Sequence, residues 1–193
     1  MFINMGLKSI VPCEVRLQVR PRTSPLDMAR EGSKRNKLEK NMTKVWQDLR
    51  PGSKLGVSPW FALKQEMFDE FEVLTLSNDK LHTDADWVAK NTHFKSIIAP
   101  GFFVAALLPY FHAQVSADLT GYYPLNYGFD KIRWVEPVPV NSRIRAEFTV
   151  IEITPRPDGG SLFKTQVTVE IEGVDRPGMV AEWLGVVMPH SAV

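Results

Sequence analysis

The run from Ile97 to Phe111 is apolar at almost every position and is interrupted only by Pro100, Gly101 and Pro109. A stretch of this kind has to be covered by the rest of the chain, and that limits the folds available. It is shorter than the roughly 20 residues a membrane-spanning helix needs, so no membrane span is expected. The expectation is a long core helix beginning near Gly101, apolar on nearly every side and therefore buried all round. Pro109 should kink or end it, because proline lacks the N–H that the helix ladder requires.

The residues C-terminal to this run supply the cover. Four strands are expected, at Asn126–Val135, Arg143–Thr154, Leu162–Glu172 and Met179–Met188. The second alternates through Ile144, Ala146, Phe148 and Val150, and the third through Phe163, Thr165, Val167, Val169 and Ile171. Turn residues separate them at Pro137-Val138-Pro139, Pro155 to Gly160 and Gly173 to Pro177. Short turns imply an antiparallel meander. An apolar helix leading into such a meander implies an α+β class, with a curled antiparallel sheet wrapped around the helix.

Upstream, Val45, Trp46 and Leu49 mark a helical turn that ends at Pro51-Gly52. Phe68, Phe71 and Leu74 recur at helical spacing in Gln65 to Leu74. Ser77 to Thr83 reads as a polar loop, and Asp84 is placed to cap a short helix to Lys90. Residues 1–43 differ in texture and read as a basic, flexible extension to a single domain at 44–190, or as sequence upstream of a later start at Met28 or Met42. Arg16, Arg20 and Arg22 also allow a targeting segment, but an uninterrupted signal-peptide core is absent.

Charge narrows the function classes. Net charge is +1, with +6 on residues 1–50 and −5 on residues 51–193. A mildly acidic folded part argues against nucleic acid as the main ligand. The single cysteine, Cys13, can form no internal disulfide, which fits a reducing, cytoplasmic compartment. No cysteine pair exists to hold a structural metal.

Five strings in order carry a resemblance. They are Ser58-Pro-Trp-Phe with Gln65-Glu66; Leu81-His82-Thr83-Asp84; Ile98-Ala-Pro-Gly-Phe102; Leu125-Asn-Tyr-Gly-Phe-Asp-Lys-Ile-Arg133 with Pro137-Val138; and Val169-Glu-Ile-Glu-Gly173 with Ala181-Glu182. Together, over about Lys44 to Met188, they resemble the MaoC-like dehydratases, or (R)-specific enoyl-CoA hydratases, of the hot-dog fold.

The resemblance implies an enzyme that adds water to a trans-2-enoyl thioester carried on CoA or a carrier protein, with no metal or redox cofactor. In that family an aspartate five residues before a histidine helps it hold and activate the water. A glycine N–H at the start of the central helix binds the thioester oxygen. A fixed donor at that oxygen typically lowers such a barrier by about 3 kcal/mol, and a positioned acid–base group adds roughly 10²–10⁴ in rate.

Carried over in register, His82 is the histidine and Gly101 the oxyanion donor. The aspartate position holds Ser77, which can hold a water but is no base near neutral pH. Asp79 stands where the family has asparagine, and one helical turn would bring it to the same side as His82. Pro100 takes the place of a histidine that usually precedes the glycine. Pro100, Phe102, Asn126 and Tyr127 are candidate substrate contacts, although burial with satisfied hydrogen bonds explains Asn126 and Tyr127 equally well. His93 is a candidate for the pocket mouth, and His112 and His190 read as ordinary structural residues.

Ser77 also leaves open a non-catalytic acyl-thioester binding or scaffold subunit on the same fold. A thioesterase is a third reading, weakened because hot-dog thioesterases place a carboxylate near the central helix and Phe102 to Leu108 has none. The resemblance further implies a homodimer with sheets paired edge to edge.

Overall fold

The computed structural model describes residues 45–190. The basic extension at 1–43, its boundary at 44, and Cys13 lie outside the described residues.

Alternation read from sequence becomes the inner face of the sheet. In β4 (Arg143–Pro155) Ile144, Ala146, Phe148 and Val150 are all buried. In β5 (Ser161–Ile171) Phe163, Thr165, Val167, Val169 and Ile171 are buried too. The period of two puts these side chains on one face, so a single register buries both sets at once. β4, β5 and β6 (Met179–Pro189) are joined by hairpins and pair antiparallel.

Three features differ from the sequence expectation. First, the meander covers only these three strands. β3 (Tyr122–Trp134) pairs with β6, and with β1 (Lys54–Val57) at the other end the order is β1-β4-β5-β6-β3. The connection at 135–142 therefore carries the chain from one edge of the hairpin series to the strand at its other side. Its proline-rich composition signals a turn but says nothing about which strand lies next door.

Second, two short strands were not legible. β1 (Lys54–Val57) and β2 (Phe61–Ala62) both pair with β4. They are too short to show a period, and between them buried Ser58 takes over the pairing. Its N–H donates to Ala146 O at 2.9 Å, and its Oγ accepts from Ala146 N–H at 3.0 Å.

Third, the central helix breaks ahead of Pro109, as its proline led us to expect, but it is not buried all round. After a 3₁₀ turn at Trp46–Asp48, the helices are α1 (Gln65–Thr75), α2 (Lys80–Thr83), α3 (Ala85–Asn91), α4 (Gly101–Ala106) and α5 (Leu108–Ala113). Pro109 sits in the first turn of α5, where a missing N–H costs least, and α4 tightens at its end as Leu107 N–H approaches both Phe103 O and Val104 O. Val104, Leu108 and Phe111 recur at helical spacing and face the sheet core. Phe102 is 71% exposed and Tyr110 is 44% exposed. The sheet covers one side of α4 and α5, α1 packs on Phe103 through Phe68 and Phe71, and Phe102, Ala106, Pro109 and Tyr110 are left exposed.

His112 shows how closely the covered side packs. Its ring stands edge-on to Phe148 and Trp183, with centroids 5.3 and 5.4 Å away. Burial among these rings disfavours the charged imidazolium and lowers the His112 pKa below its ordinary value of 6.5. The stability this neutral ring contributes is full above about pH 6.5, where the unfolded chain is also neutral, and is lost as pH falls towards the lower folded value. A His112→Phe variant is expected to lose less stability than wild type between pH 7 and pH 5.5, measured by chemical denaturation at each pH. Parallel curves for the two proteins would rule out His112 as a source of the acid sensitivity.

Candidate active site

The chain before α4 is fixed by a two-residue bridge to the 135–142 connection. Ala99 N–H donates to Val138 O at 2.8 Å, and Val140 N–H donates to Ile97 O at 2.9 Å. Ile98 lies opposite Pro139 in this antiparallel bridge. In such a pair the flanking residues make the ladder bonds, so the carbonyl of Ile98 is left to face outward. His82 uses it: Nδ1 lies 2.8 Å from Ile98 O.

A carbonyl oxygen can only accept, so Nδ1 carries the proton in this contact. The neutral imidazole then presents an unprotonated Nε2, the form required of a general base. His82 itself sits on the single turn α2 and is half-buried. Gln65, the first residue of α1, donates from Nε2 to the His82 backbone carbonyl at 2.8 Å. Glu72 is only 4% exposed, and its Oε2 accepts from the Asp79 N–H at 3.0 Å. α1 thus grips the 76–82 segment at both ends. Leu76 closes α1 in the left-handed region at φ 57°, a conformation that costs a residue with a Cβ roughly 1–2 kcal/mol.

A cavity of about 450 Å³ opens beside His82. Gly101 and Phe102 from the start of α4 and the wall from Trp134 to Val138 also line it. Gly101 is demanded by contact rather than by backbone angle. A Cβ there would lie 2.7 Å from Trp134 Nε1 and 2.8 Å from Cε2, well inside any tolerated approach. The indole also meets the Phe102 ring edge-on at 5.1 Å.

Of the residues expected from sequence, the structure brings His82, Gly101 and Phe102 to one cavity. Pro100 is buried at the N-cap position of α4. Asp79 has another task. One helical turn does form there, but Asp79 is its N-cap and Oδ1 accepts from Leu81 N–H at 2.9 Å. Ser77 is exposed and does not line the cavity.

Asn126 and Tyr127 are also placed elsewhere. Asn126 Oδ1 accepts from Trp183 Nε1 at 2.6 Å and borders a second, mostly apolar cavity of about 320 Å³ beside the end of α5. Tyr127 is 62% exposed on β3. His93 is exposed against Phe94, and His190 stacks on Tyr123. Sequence reasoning missed two carboxylates, Glu72 beneath the loop and Glu136 on the cavity wall. Glu72 was legible only as one acid among several on α1, and no motif marks Glu136.

Among the described residues no group of three or more His, Cys, Asp or Glu side chains could hold a metal ion. No helix among them is long and apolar enough to cross a membrane.

Comparison with known proteins identifies the family and the fold. Residues 47–172 match the MaoC like domain family. The chain is 34% identical over 131 residues to 3-hydroxyacyl-thioester dehydratase Z of Mycobacterium tuberculosis, covering 68% of this chain and 86% of that protein. It is 31% identical over 143 residues to nodulation protein N of Rhizobium meliloti, covering 70% and 84% respectively. Among solved structures, the (R)-hydratase from A. caviae involved in PHA biosynthesis superposes with a TM-score of 0.59 at 20% identity, over 74% of this chain and 98% of that one. A curled sheet around a helix of this order is the hot-dog fold, and the chain belongs to the MaoC-like dehydratase family.

Proposed function

We propose that the protein is an (R)-specific enoyl-thioester hydratase, which adds water to a trans-2-enoyl thioester and, in reverse, dehydrates the (R)-3-hydroxyacyl thioester. The observation that carries this reading is the His82 Nδ1 contact with Ile98 O at 2.8 Å, which leaves Nε2 free in a cavity shared with Gly101. Nε2 takes a proton from water as the oxygen bonds to the β carbon. The π electrons move to the thioester oxygen, where the Gly101 N–H opposes the charge that develops. The imidazolium then returns its proton to the α carbon and the carbonyl re-forms. No metal or redox cofactor is needed for these steps.

The mostly apolar cavity further along α5 supports an acyl substrate over a polar one. The lone cysteine supports a reducing, cytoplasmic-type setting. A second reading, an acyl-thioester binding subunit without activity, is favoured by the exposure of Ser77 at the position where the family resemblance expects an aspartate.

A homodimer is part of the same proposal. β3 stands at one end of the sheet order and leaves Tyr123, Leu125, Tyr127 and Phe129 exposed. An open, apolar edge strand of this length calls for cover, and a second copy of the same edge supplies it. A dimer mass by light scattering is expected, with Leu125→Lys shifting it towards the monomer; a wild-type monomer at micromolar concentration would refute the pairing.

The activity is tested with crotonyl-CoA by following the conjugated-thioester absorbance together with free thiol. The absorbance is expected to fall without thiol release, and His82→Ala is expected to slow this by about 10²–10⁴. Thiol release would instead identify a thioesterase. Neither signal would leave the binding-subunit reading.

A further inference from the structure

The site as described has a base and an oxyanion donor but no second acceptor for the water. A water poised for attack has two protons, and Nε2 engages one of them. Without an acceptor for the other, the water can rotate, and the alignment that makes the reaction effectively unimolecular is lost. Several carboxylates are close in sequence to His82, yet none of them lines the cavity. Asp79 caps α2, Asp84 caps α3 through Trp87 N–H, and Glu72 is turned to the Asp79 N–H.

The cavity contains another. Of the residues that line it, Glu136 is the only one with a carboxyl group. It lies in the connection whose neighbours Val135 and Val138 are fixed by backbone bonds, Val135 N–H to Gly178 O at 3.0 Å and Ala99 N–H to Val138 O at 2.8 Å. Its side chain is 33% exposed, and Oε2 lies 3.1 Å from Arg176 Nη1. A guanidinium there engages one carboxylate oxygen and leaves the other with free acceptor capacity.

We propose that Glu136 is the carboxylate partner of His82, accepting the second hydrogen bond of the attacking water from the wall of the cavity. The proposal rests on the hydratase reading and extends it to a residue outside the Leu81–Asp84 motif. In the reaction Glu136 neither gains nor loses a proton. The water proton goes to Nε2 and from there to the α carbon, while the carboxylate holds the remaining O–H in line as the oxygen bonds to the β carbon. Ser77 can then be exposed without leaving the site short of an acceptor.

The test compares wild type, Glu136→Gln, Glu136→Asp and His82→Ala, all as full-length protein, on crotonyl-CoA, with thermal unfolding as a control for folding. Glu136→Gln is nearly isosteric but places an amide where an acceptor pair stood. It is expected to lower kcat by about 10²–10⁴ with KM within about threefold and an unchanged melting temperature. Glu136→Asp keeps the carboxylate and is expected to recover at least tenfold over Glu136→Gln. Wild-type kcat in Glu136→Gln, with His82→Ala inactive, would overturn the role of Glu136 and leave the hydratase reading intact. A loss expressed in KM or in melting temperature, or one equally severe in Glu136→Asp, would mark a structural role and also overturn it. Inactive wild type would overturn both readings.

Discussion

The short bridge at Ile97–Ala99 is the constraint through which the fold reaches the site. Two backbone hydrogen bonds tie it to Val138 and Val140 on the connection between β3 and β4. Each is worth only about 1 kcal/mol net, but together they fix a strand-like geometry in which the Ile98 carbonyl must point away from its partner. That carbonyl orients the His82 ring, and three residues later the same chain enters α4 at Gly101. The proposed base and the proposed oxyanion donor are thus set by one stretch of peptide. The opposite wall, Trp134 to Val138, runs from the end of β3 into the other half of the same bridge at Val138.

Burial explains why the site lies where it does. The sheet covers Val104, Leu108 and Phe111 and leaves Phe102 and Tyr110 on the open side. The helix thus keeps exposed apolar surface, as does the β3 edge with Leu125 and Tyr127. The homodimer proposed above would cover that apolar edge with a second copy. The second cavity, bordered by Pro109, His112 and Trp183, lies beside the helix that starts at the break ahead of that proline.

The alternating strands were legible because a period of two survives in Ile144 to Val150 and Phe163 to Ile171 whatever their neighbours are. Their order was not, since the prolines at 137 and 139 mark a turn equally well in a hairpin and in a crossover. His82 and Gly101 were legible through local strings, each lying within a few residues of its signature. Asp79 misled because helical spacing places a side chain on a face without saying which backbone donor will take it, and the nearest was the Leu81 N–H. Glu136 gave no sequence signal. It is 54 residues from His82 and shares a cavity with it only because the chain folds back, and spacing along the chain does not register that.

The central claim is that Ile98 O holds His82 with its proton on Nδ1, leaving Nε2 as the base. Nitrogen-15 NMR of the histidine-labelled protein, with His82 assigned by comparison with His82→Ala, reads the tautomer directly. The account predicts that the neutral His82 ring shows a protonated Nδ1 and a bare Nε2, with a coupling across the hydrogen bond to the Ile98 carbonyl. A neutral ring with its proton on Nε2, or one exchanging freely between tautomers, would contradict it.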